Sequence, residues 1–384
     1  MLIKKLLFIL LLVIFLAAAV SVNAYALEEN DVSAHSAILI STDTNETLFE
    51  KNADARRSMA STTKIMTSVL VLEALTPERE ITVTKEMVSV EGTSMGLLPG
   101  DAVSMKTLVY GMLLASGNDA ANVSAYILGG GQAGFSVLMN EKAKEIGMKN
   151  TNFVTPSGLD SEKHYSTARD MAALASYALK SPEFVKISSS SSATVSYGNP
   201  PYQRRLHNHN RLLSMYDGTI GVKTGFTKKS GRCLVSAAER DGITLVAVTL
   251  NAPSDWGDHV KMFEYGFSAM SRTELPHDFT GCRLNVAGGV KDTAGVEAAY
   301  APYFIHSADI PEISEKIYIN NFCYAPVEAG KAVGYCEYTD AGGNVLASVP
   351  IVTAEAVEIK EIEDVKEKDS IIKKMKNFLN RLNV

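Results

Sequence analysis

The chain has 384 residues, of which 46% are hydrophobic and 21% are charged, and its formal net charge is −6. This length and balance are typical of a folded protein with enough apolar residues for two domains, and they exclude a largely disordered chain. Proteins that bind nucleic acid need a basic surface. The body of this acidic chain has no long basic block, so we expect no nucleic-acid partner.

The first 26 residues have the composition of an export signal. Lys4 and Lys5 precede an apolar run over residues 6–20, and Ala24-Tyr25-Ala26 fits a cleavage site with small residues. An uncleaved membrane anchor is the alternative, but the run is short for a span. The pattern predicts an exported, extracytoplasmic protein from which a signal peptide, residues 1–26, is removed.

The body of the chain alternates between strand and helix patterns. Apolar runs flank a polar turn at residues 43–45, and helical patterns cover about residues 61–75 and 104–181. Strand patterns return over residues 218–248 before a helix over 256–270. This order favours an α/β (α+β) domain over residues 27–275, in which helices flank one antiparallel sheet and a helical insertion separates its strands.

The last part of the chain has two further patterns. Residues 276–360 contain short β-like segments separated by glycine and proline, which predicts a small β-rich C-terminal domain. Residues 361–384 begin with a charge-rich stalk. The segment that follows has apolar residues at helical spacing and lysines between them. We expect a terminal amphipathic helix that attaches the protein peripherally to the outer face of the cytoplasmic membrane. A helix packed on its own domain or on a coiled-coil partner is the alternative.

The four cysteines, at positions 233, 282, 323 and 336, permit disulfides in an exported protein but do not require them. Cys233 lies in a strand-like run, so we expect it to be a buried structural thiol. A hairpin that brings Cys323 opposite Cys336 is one arrangement that the spacing allows.

Ser61 and Lys64 form an S-x-x-K pair at the start of the first predicted helix. The i,i+3 spacing places the lysine amine beside the serine hydroxyl. A lysine whose pKa is lowered by burial or by neighbouring cations can accept the serine proton and so activate the oxygen as a nucleophile. The pair alone is a weak signal, because Ser370 and Lys373 have the same spacing and because a serine at this place is usually a helix N-cap.

Two further motifs follow in the chain. Ser116-Gly117-Asn118 ends an apolar helix and offers a hydroxyl to relay a proton and an amide to hold a peptide carbonyl. Lys223-Thr224-Gly225 closes a strand and offers a cation and a hydroxyl to a carboxylate, while the glycine lets a substrate backbone approach. Taken singly, these motifs are also explained as a loop after a helix and a solvated strand end. In this order with S-x-x-K, they are the motifs of penicillin-binding proteins and class A β-lactamases.

Nearly the whole chain after the signal resembles the low-molecular-mass penicillin-binding proteins of the serine D-alanyl-D-alanine carboxypeptidase family (peptidase S11 type). The segments that resemble the family surround the three motifs and continue through residues 158–170 and 210–213. Met59 departs from the family, in which proline is common at this position. The resemblance implies a β-lactamase/transpeptidase-like fold, a C-terminal β-rich domain and an amphipathic terminal helix.

The resemblance also implies roles for individual residues. Ser61 is the expected nucleophile, Lys64 its general base and Ser116 a proton relay. The residues expected to bind substrate are Asn118, Lys223, Thr224, Gly225 and Phe226. Within this set, Lys223 and Thr224 are expected to hold the terminal carboxylate, and the backbone N–H groups of Ser61 and Phe226 to form the oxyanion hole.

The sequence therefore predicts a serine-type carboxypeptidase that removes the terminal D-alanine from peptidoglycan stem pentapeptides through an acyl-enzyme. We expect β-lactams as covalent inhibitors, and neither a metal nor a cofactor. A β-lactamase-like hydrolase and a non-catalytic penicillin- or muropeptide-binding protein are the alternatives; a β-lactamase also needs a carboxylate for the deacylating water, and Glu141, Glu145 and Asp160 lie in the relevant segment. A zinc peptidase needs more ligands than His207 and His209 provide.

Overall fold

The structure is a computed structural model that describes residues 26–74, 78–307, 312–361, 374 and 376–378. The chain divides into two compact units, with the border between Arg272 and Thr273. The predicted signal peptide, apart from Ala26, and most of the predicted terminal helix lie outside the described residues. Among the described residues, no helix is both long enough and apolar enough to cross a membrane.

The first unit contains a large and a small β-sheet. Its strands are β1 (Ser36–Ser41), β2 (Thr47–Lys51), β3 (Glu80–Thr82), β4 (Ala102–Ser104), β5 (Ser192–Gly198), β6 (Pro201–His207), β7 (Thr219–Thr227), β8 (Gly231–Arg240) and β9 (Ile243–Leu250). The large sheet is antiparallel with the order β2-β1-β9-β8-β7, and the small sheet has the order β3-β4-β5-β6. β9 lies between β1 and β8 and is almost continuously apolar because both of its faces are buried.

The helices of this unit lie mostly between β2 and β7 in the chain. They are α1 (Lys64–Glu73), α2 (Lys85–Val88), α3 (Met105–Leu113), α4 (Asn118–Gly129), α5 (Gln132–Ile146), α6 (Ala168–Ala178), α7 (Pro182–Ser188), α8 (Leu212–Met215) and α9 (Asp255–Ala269). One hydrophobic core joins α1, α3, α4 and α6 to the large sheet. Short 3₁₀ turns cover Glu29–Asp31 and Ala60–Thr63.

The second unit is rich in β-structure. The border falls within β10 (Ser271–Glu274), and the strands after it are β11 (Arg283–Ala287), β12 (Thr293–Ala298), β13 (Tyr303–His306), β14 (Ser314–Ile319), β15 (Phe322–Tyr324), β16 (Ala332–Thr339) and β17 (Val345–Thr353). One sheet has the order β14-β16-β17-β12-β11-β15, and β10 pairs with β13. Alternate residues of β11 are buried, which is the period of a strand with one covered face.

The predicted fold class is confirmed, since helices flank an antiparallel sheet, a helical insertion separates its strands, and a β-rich unit follows. The hairpin around residues 43–45 and the hairpin of β8 and β9 also form as expected. The helix expected from Ser61 begins only at Lys64, because the preceding residues form a 3₁₀ turn.

The structure leaves all four cysteines as free thiols. Cys233 is buried on β8, as expected. The hairpin arrangement of Cys323 and Cys336 is wrong, because β17, β12 and β11 lie between the strands of these two residues. The physical reason is that β15 pairs in parallel with β11, and not with the strand that follows it in the chain.

Candidate active site

Ser61 lies in the 3₁₀ turn that leads into α1. It is not the N-cap of this helix, because Thr63 occupies that position. Ala60 adopts a left-handed φ of 47°, and a Cβ on Gly158 would lie only 1.9 Å from the Ala60 carbonyl oxygen. Ser61 is therefore presented by a tightly packed, irregular turn, which accounts for the glycine at position 158.

Lys64 is completely buried beside Ser61. Its Nζ lies 2.9 Å from Ser61 Oγ, and it donates to Asn118 Oδ1 at 2.7 Å and to the Ser157 carbonyl oxygen at 2.8 Å. Burial, and secondly the charge of Lys223, hold the pKa of Lys64 well below its usual range. The expected i,i+3 contact is thus formed, and its environment favours the neutral amine that a general base requires.

Asn118 begins α4 and connects this helix to the lysine. Its Nδ2 donates to the Glu91 carbonyl oxygen at 2.7 Å, so the amide oxygen and one of the two amide N–H groups are bound. The neighbouring Asp119 is also buried, and its carboxylate accepts hydrogen bonds from the backbone N–H groups of residues 95, 96 and 97. Sequence reasoning gave Asp119 no role, yet it holds the loop that borders the S-x-N motif.

The K-T-G motif lies on β7, at the edge of the large sheet. Lys223 is only 1% exposed, its Nζ donates to the Thr224 carbonyl oxygen at 2.8 Å, and burial lowers its pKa to about 7. A Cβ on Gly225 would lie 3.0 Å from the backbone nitrogen of Ser61, so this glycine allows the strand to approach the 3₁₀ turn Ala60–Thr63. We call this turn the nucleophile turn, after the predicted role of Ser61. Phe226 is 66% exposed.

A cleft of about 280 Å³ opens beside Ser61. Its lining residues are Ser61, Thr93, Ser116, His209, Thr224, Gly225, Phe226, Arg232, Asp255 and Trp256. Five of the eight predicted site residues are in this lining, whereas Lys64, Asn118 and Lys223 are buried and do not line it. A larger cavity of about 610 Å³, lined by residues of β1 and α6 among others, contains none of the predicted residues.

Arg232 is a cleft residue that sequence reasoning missed. It lies on β8 directly opposite Phe226, its Nε donates to Asp255 Oδ1 at 2.9 Å, and its guanidinium carbon lies 5.7 Å from the Trp256 ring centroid. These contacts fix one edge of the guanidinium, and the described residues provide no hydrogen-bond partner for the two Nη groups. The short turn between β7 and β8 places Arg232 opposite Phe226. This turn was the feature of the sequence from which Arg232 could have been identified.

Of the two histidines in the H-x-H pattern, only His209 lines the cleft. Both side chains are exposed; His207 ends β6, and His209 lines the cleft. Partial loss of hydration in the cleft, and secondly the charge of Lys223, lower the pKa of His209. Within the described residues, no group of three or more His, Cys, Asp or Glu side chains is placed to hold a metal ion.

The sequence model of the D-alanyl-D-alanine carboxypeptidase family, peptidase S11, matches residues 23–254. The chain belongs to this family. It is 32% identical over 333 residues to the D-alanyl-D-alanine carboxypeptidase DacF of Bacillus subtilis, a match that covers 84% of this chain and 85% of that protein. The family predicted from the motifs is therefore confirmed.

The fold of this carboxypeptidase-family chain is also similar to those of two solved structures. The D-alanyl-D-alanine carboxypeptidase DacD from Francisella tularensis has a TM-score of 0.61 at 27% identity, and the match covers 88% of this chain and 96% of that chain. The Streptomyces K15 DD-transpeptidase has a TM-score of 0.59 at 34% identity, with 62% of this chain and 98% of that chain covered. As a member of the family, the chain is a hydrolase of the serine D-alanyl-D-alanine carboxypeptidase type.

Proposed function

We propose that this protein removes the terminal D-alanine from peptidoglycan stem pentapeptides through an acyl-enzyme on Ser61. Members of its family act on peptidoglycan peptides and bind β-lactams. The observation that supports the proposal most directly is the buried Lys64 amine, which lies 2.9 Å from Ser61 Oγ and has a pKa held well below its usual range. A base in this state is ready to accept the serine proton at neutral pH.

Acylation follows from this contact. Ser61 Oγ attacks the carbonyl carbon of the penultimate D-alanine while its proton passes to the Lys64 amine. The developing oxyanion accepts hydrogen bonds from the backbone N–H groups of Ser61 and Phe226. The peptide C–N bond then breaks, and D-alanine leaves after its nitrogen receives a proton through Ser116, which lines the same cleft. Water hydrolyses the resulting ester, and the Ser61 hydroxyl is restored.

The remaining site residues bind the substrate. Asn118 orients Lys64 and holds a peptide carbonyl, and Gly225 lets the substrate backbone lie along the edge of β7. We assign the terminal carboxylate to Lys223 and Thr224 together with Arg232. Arg232 supports this assignment because, among the residues that the structure describes, it is the one lysine or arginine in the cleft lining. An arginine also stays charged where burial lowers the pKa of Lys223 to about 7.

Transpeptidation is the second candidate activity. It is favoured by the structural similarity to the Streptomyces K15 DD-transpeptidase at 34% identity. The same acyl-enzyme serves both reactions, because an amine in place of water resolves the ester to a new peptide bond. The products separate the two, since hydrolysis gives a tetrapeptide and transfer gives a longer adduct with the added amine.

The proposed cellular site depends on the two ends of the chain. We propose that residues 1–26 direct export, that residues 27–275 form the catalytic domain and residues 276–360 the β-rich domain, and that residues 361–384 attach the enzyme peripherally to the outer face of the cytoplasmic membrane. The composition of both ends supports this location. It agrees with a family of extracytoplasmic cell-wall enzymes.

The test of the function is incubation of the purified chain with a stem pentapeptide, followed by mass analysis. Free D-alanine and the tetrapeptide are expected from the native protein, and neither from Ser61→Ala, which also loses covalent labelling by penicillin. Activity is expected to survive a chelator and to be abolished by penicillin, which separates a serine enzyme from a zinc peptidase. A folded protein that labels with penicillin but releases no D-alanine would instead be a binding protein, and rapid repeated turnover of penicillin would identify a β-lactamase.

A further inference from the structure

His164 lies directly behind the nucleophile turn, in the segment between α5 and α6. It is only 2% exposed. Its Nδ1 accepts a hydrogen bond from the backbone N–H of Val154 at 2.9 Å, so the proton of the neutral ring is on Nε2. Nε2 lies 2.9 Å from Thr63 Oγ1 and donates to it. The imidazole therefore connects this segment to the 3₁₀ turn that contains Ser61.

Thr63 connects His164 to Ala60, the residue before Ser61. Its Oγ1 donates to the Ala60 carbonyl oxygen at 2.8 Å. Ala60 has a left-handed backbone, which in a residue other than glycine persists only when its surroundings hold it. A continuous chain of two hydrogen bonds thus runs from His164 to the peptide group whose nitrogen belongs to Ser61.

The segment that ends at His164 reaches the site at three further points. The Ser157 carbonyl oxygen accepts from Lys64 Nζ, and Gly158 packs against the Ala60 carbonyl. Asp160 Oδ1 accepts from Thr227 Oγ1 at 3.0 Å at the end of β7, and from the Ser58 hydroxyl at 3.1 Å. A change in how this segment is anchored therefore moves the nucleophile turn and the base together.

We propose that His164 is a positioning residue for acylation, which acts through Thr63 to hold the Ala60–Ser61 peptide group and so the Ser61 hydroxyl and N–H. His164 does not line the cleft, and its hydrogen bonds within the described residues do not include Ser61. This inference rests on the proposed function of Ser61 and deepens it. The neutral ring is the form that the geometry requires, since a protonated Nδ1 would oppose the Val154 N–H.

The test compares His164→Phe, Thr63→Val and the double variant by the rate at which a penicillin acylates each protein. Phenylalanine keeps a ring for the edge-on contact with Phe153 but removes both hydrogen bonds. Each single variant is expected to lower the limiting acylation rate about 10–100-fold, as small misplacements of a reacting group do. The dissociation constant of the reversible complex is expected to change less than about threefold, since the cleft lining is untouched. The double variant is expected to be no slower than the slower single variant, because both changes break one chain.

Two controls separate positioning from general stability. His259 is another buried histidine that contacts two hydroxyls, those of Ser236 and Thr249, but it does not contact the nucleophile turn. His259→Phe is expected to lower the melting temperature while the folded fraction acylates at the native rate. Thr63→Ser keeps the hydroxyl and is expected to restore acylation to within about threefold of the native rate.

Native acylation in His164→Phe, or losses that multiply in the double variant, would overturn the proposal. If His164→Phe does not fold, Thr63→Val and Thr63→Ser decide, because equal rates in these two variants would also reject the role. Failure of the proposed function is a separate result, since it appears in the native protein as no penicillin adduct or no released D-alanine.

Discussion

Lys64 and Lys223 are two lysines buried within one site, and their environments explain their assigned roles. A buried ammonium loses its hydration, and the charge of Lys223 further disfavours the charge on Lys64. Three groups partly offset the cost of charging Lys64, namely Asn118 Oδ1, the Ser157 carbonyl oxygen and the negative charge of Asp119. The pKa of Lys64 nevertheless stays well below its usual range. These surroundings support the proposed role of Lys64 as a base.

Lys64→Arg tests this role at the residue scale. An arginine keeps the positive charge but has no accessible neutral form, so it cannot accept the Ser61 proton. Acylation by penicillin is expected to fall about 10²–10⁴-fold, the usual contribution of a general base. The measurement is the rate of covalent adduct formation, with a melting curve to establish folding. Acylation within about threefold of the native rate would make Lys64 a structural residue only.

Variants of Arg232 and Arg240 test the assignment of the substrate carboxylate. Arg232→Gln is expected to weaken the capture of substrates with a free terminal carboxylate about 10–100-fold, the value of a charged hydrogen bond, and to affect a C-terminally amidated analogue much less. Arg240 is on the same strand but pairs with Glu264 and does not line the cleft. Arg240→Gln is expected to leave the ratio of the two kcat/KM values unchanged. Equal losses on both substrates for Arg232→Gln would refute the carboxylate assignment.

At the scale of elements, His259 connects α9 to two strands of the large sheet. Its ring contacts Ser236 on β8 and Thr249 on β9, and burial lowers its pKa to about 3. In the unfolded chain the pKa is about 6.5, so the unfolded state binds more protons between these values. The neutral ring therefore contributes stability that is fully present above pH 6.5 and is lost as the pH falls toward 3.

This linkage predicts the pH dependence of unfolding. The free energy of unfolding is expected to decrease by as much as about 5 kcal/mol from His259 alone as the pH falls from 6.5 to 3. His164, with a pKa lowered to about 4 by burial, adds to the same trend. Urea unfolding at a series of pH values measures the slope, which His259→Gln is expected to reduce. An unchanged slope in this variant would show that other groups cause the acid sensitivity.

At the scale of the whole molecule, the terminal segment is predicted to determine where the enzyme acts. Its apolar stripe lies at Ile371, Ile372, Met375, Phe378, Leu379 and Leu382. Lysines near anionic lipid contribute about 1 kcal/mol each, and the apolar residues add to reversible anchoring. Most of this segment lies outside the described residues, so both its helix and its membrane role stay predictions.

Deletion of residues 369–384 tests the anchor. The truncated protein is expected to stay in solution with anionic liposomes that sediment the full chain, and to hydrolyse soluble pentapeptide at the same rate. Neutral liposomes are the control, because the lysines should contribute little there. Sedimentation of the truncated protein with anionic liposomes, or loss of its fold, would contradict the anchoring role.

The sequence by itself determined the family, the fold class and the short-range part of the site. Ser61 and Lys64 are three residues apart, so local backbone geometry is enough to bring their side chains together. The order of strand and helix patterns was likewise enough for an antiparallel sheet with a helical insertion, because apolar periodicity depends on which face is buried.

Only the tertiary structure decided which residues surround this pair and in what charge state. Lys64 and Lys223 are far apart in the chain, and burial in the folded unit is what lowers the pKa of both. Arg232 enters the cleft through a hairpin register, and His164 reaches Thr63 across about a hundred residues of chain. Such contacts depend on how separate elements pack, and the energies that select them come from desolvation and shape, neither of which is encoded in the spacing of residues along the chain.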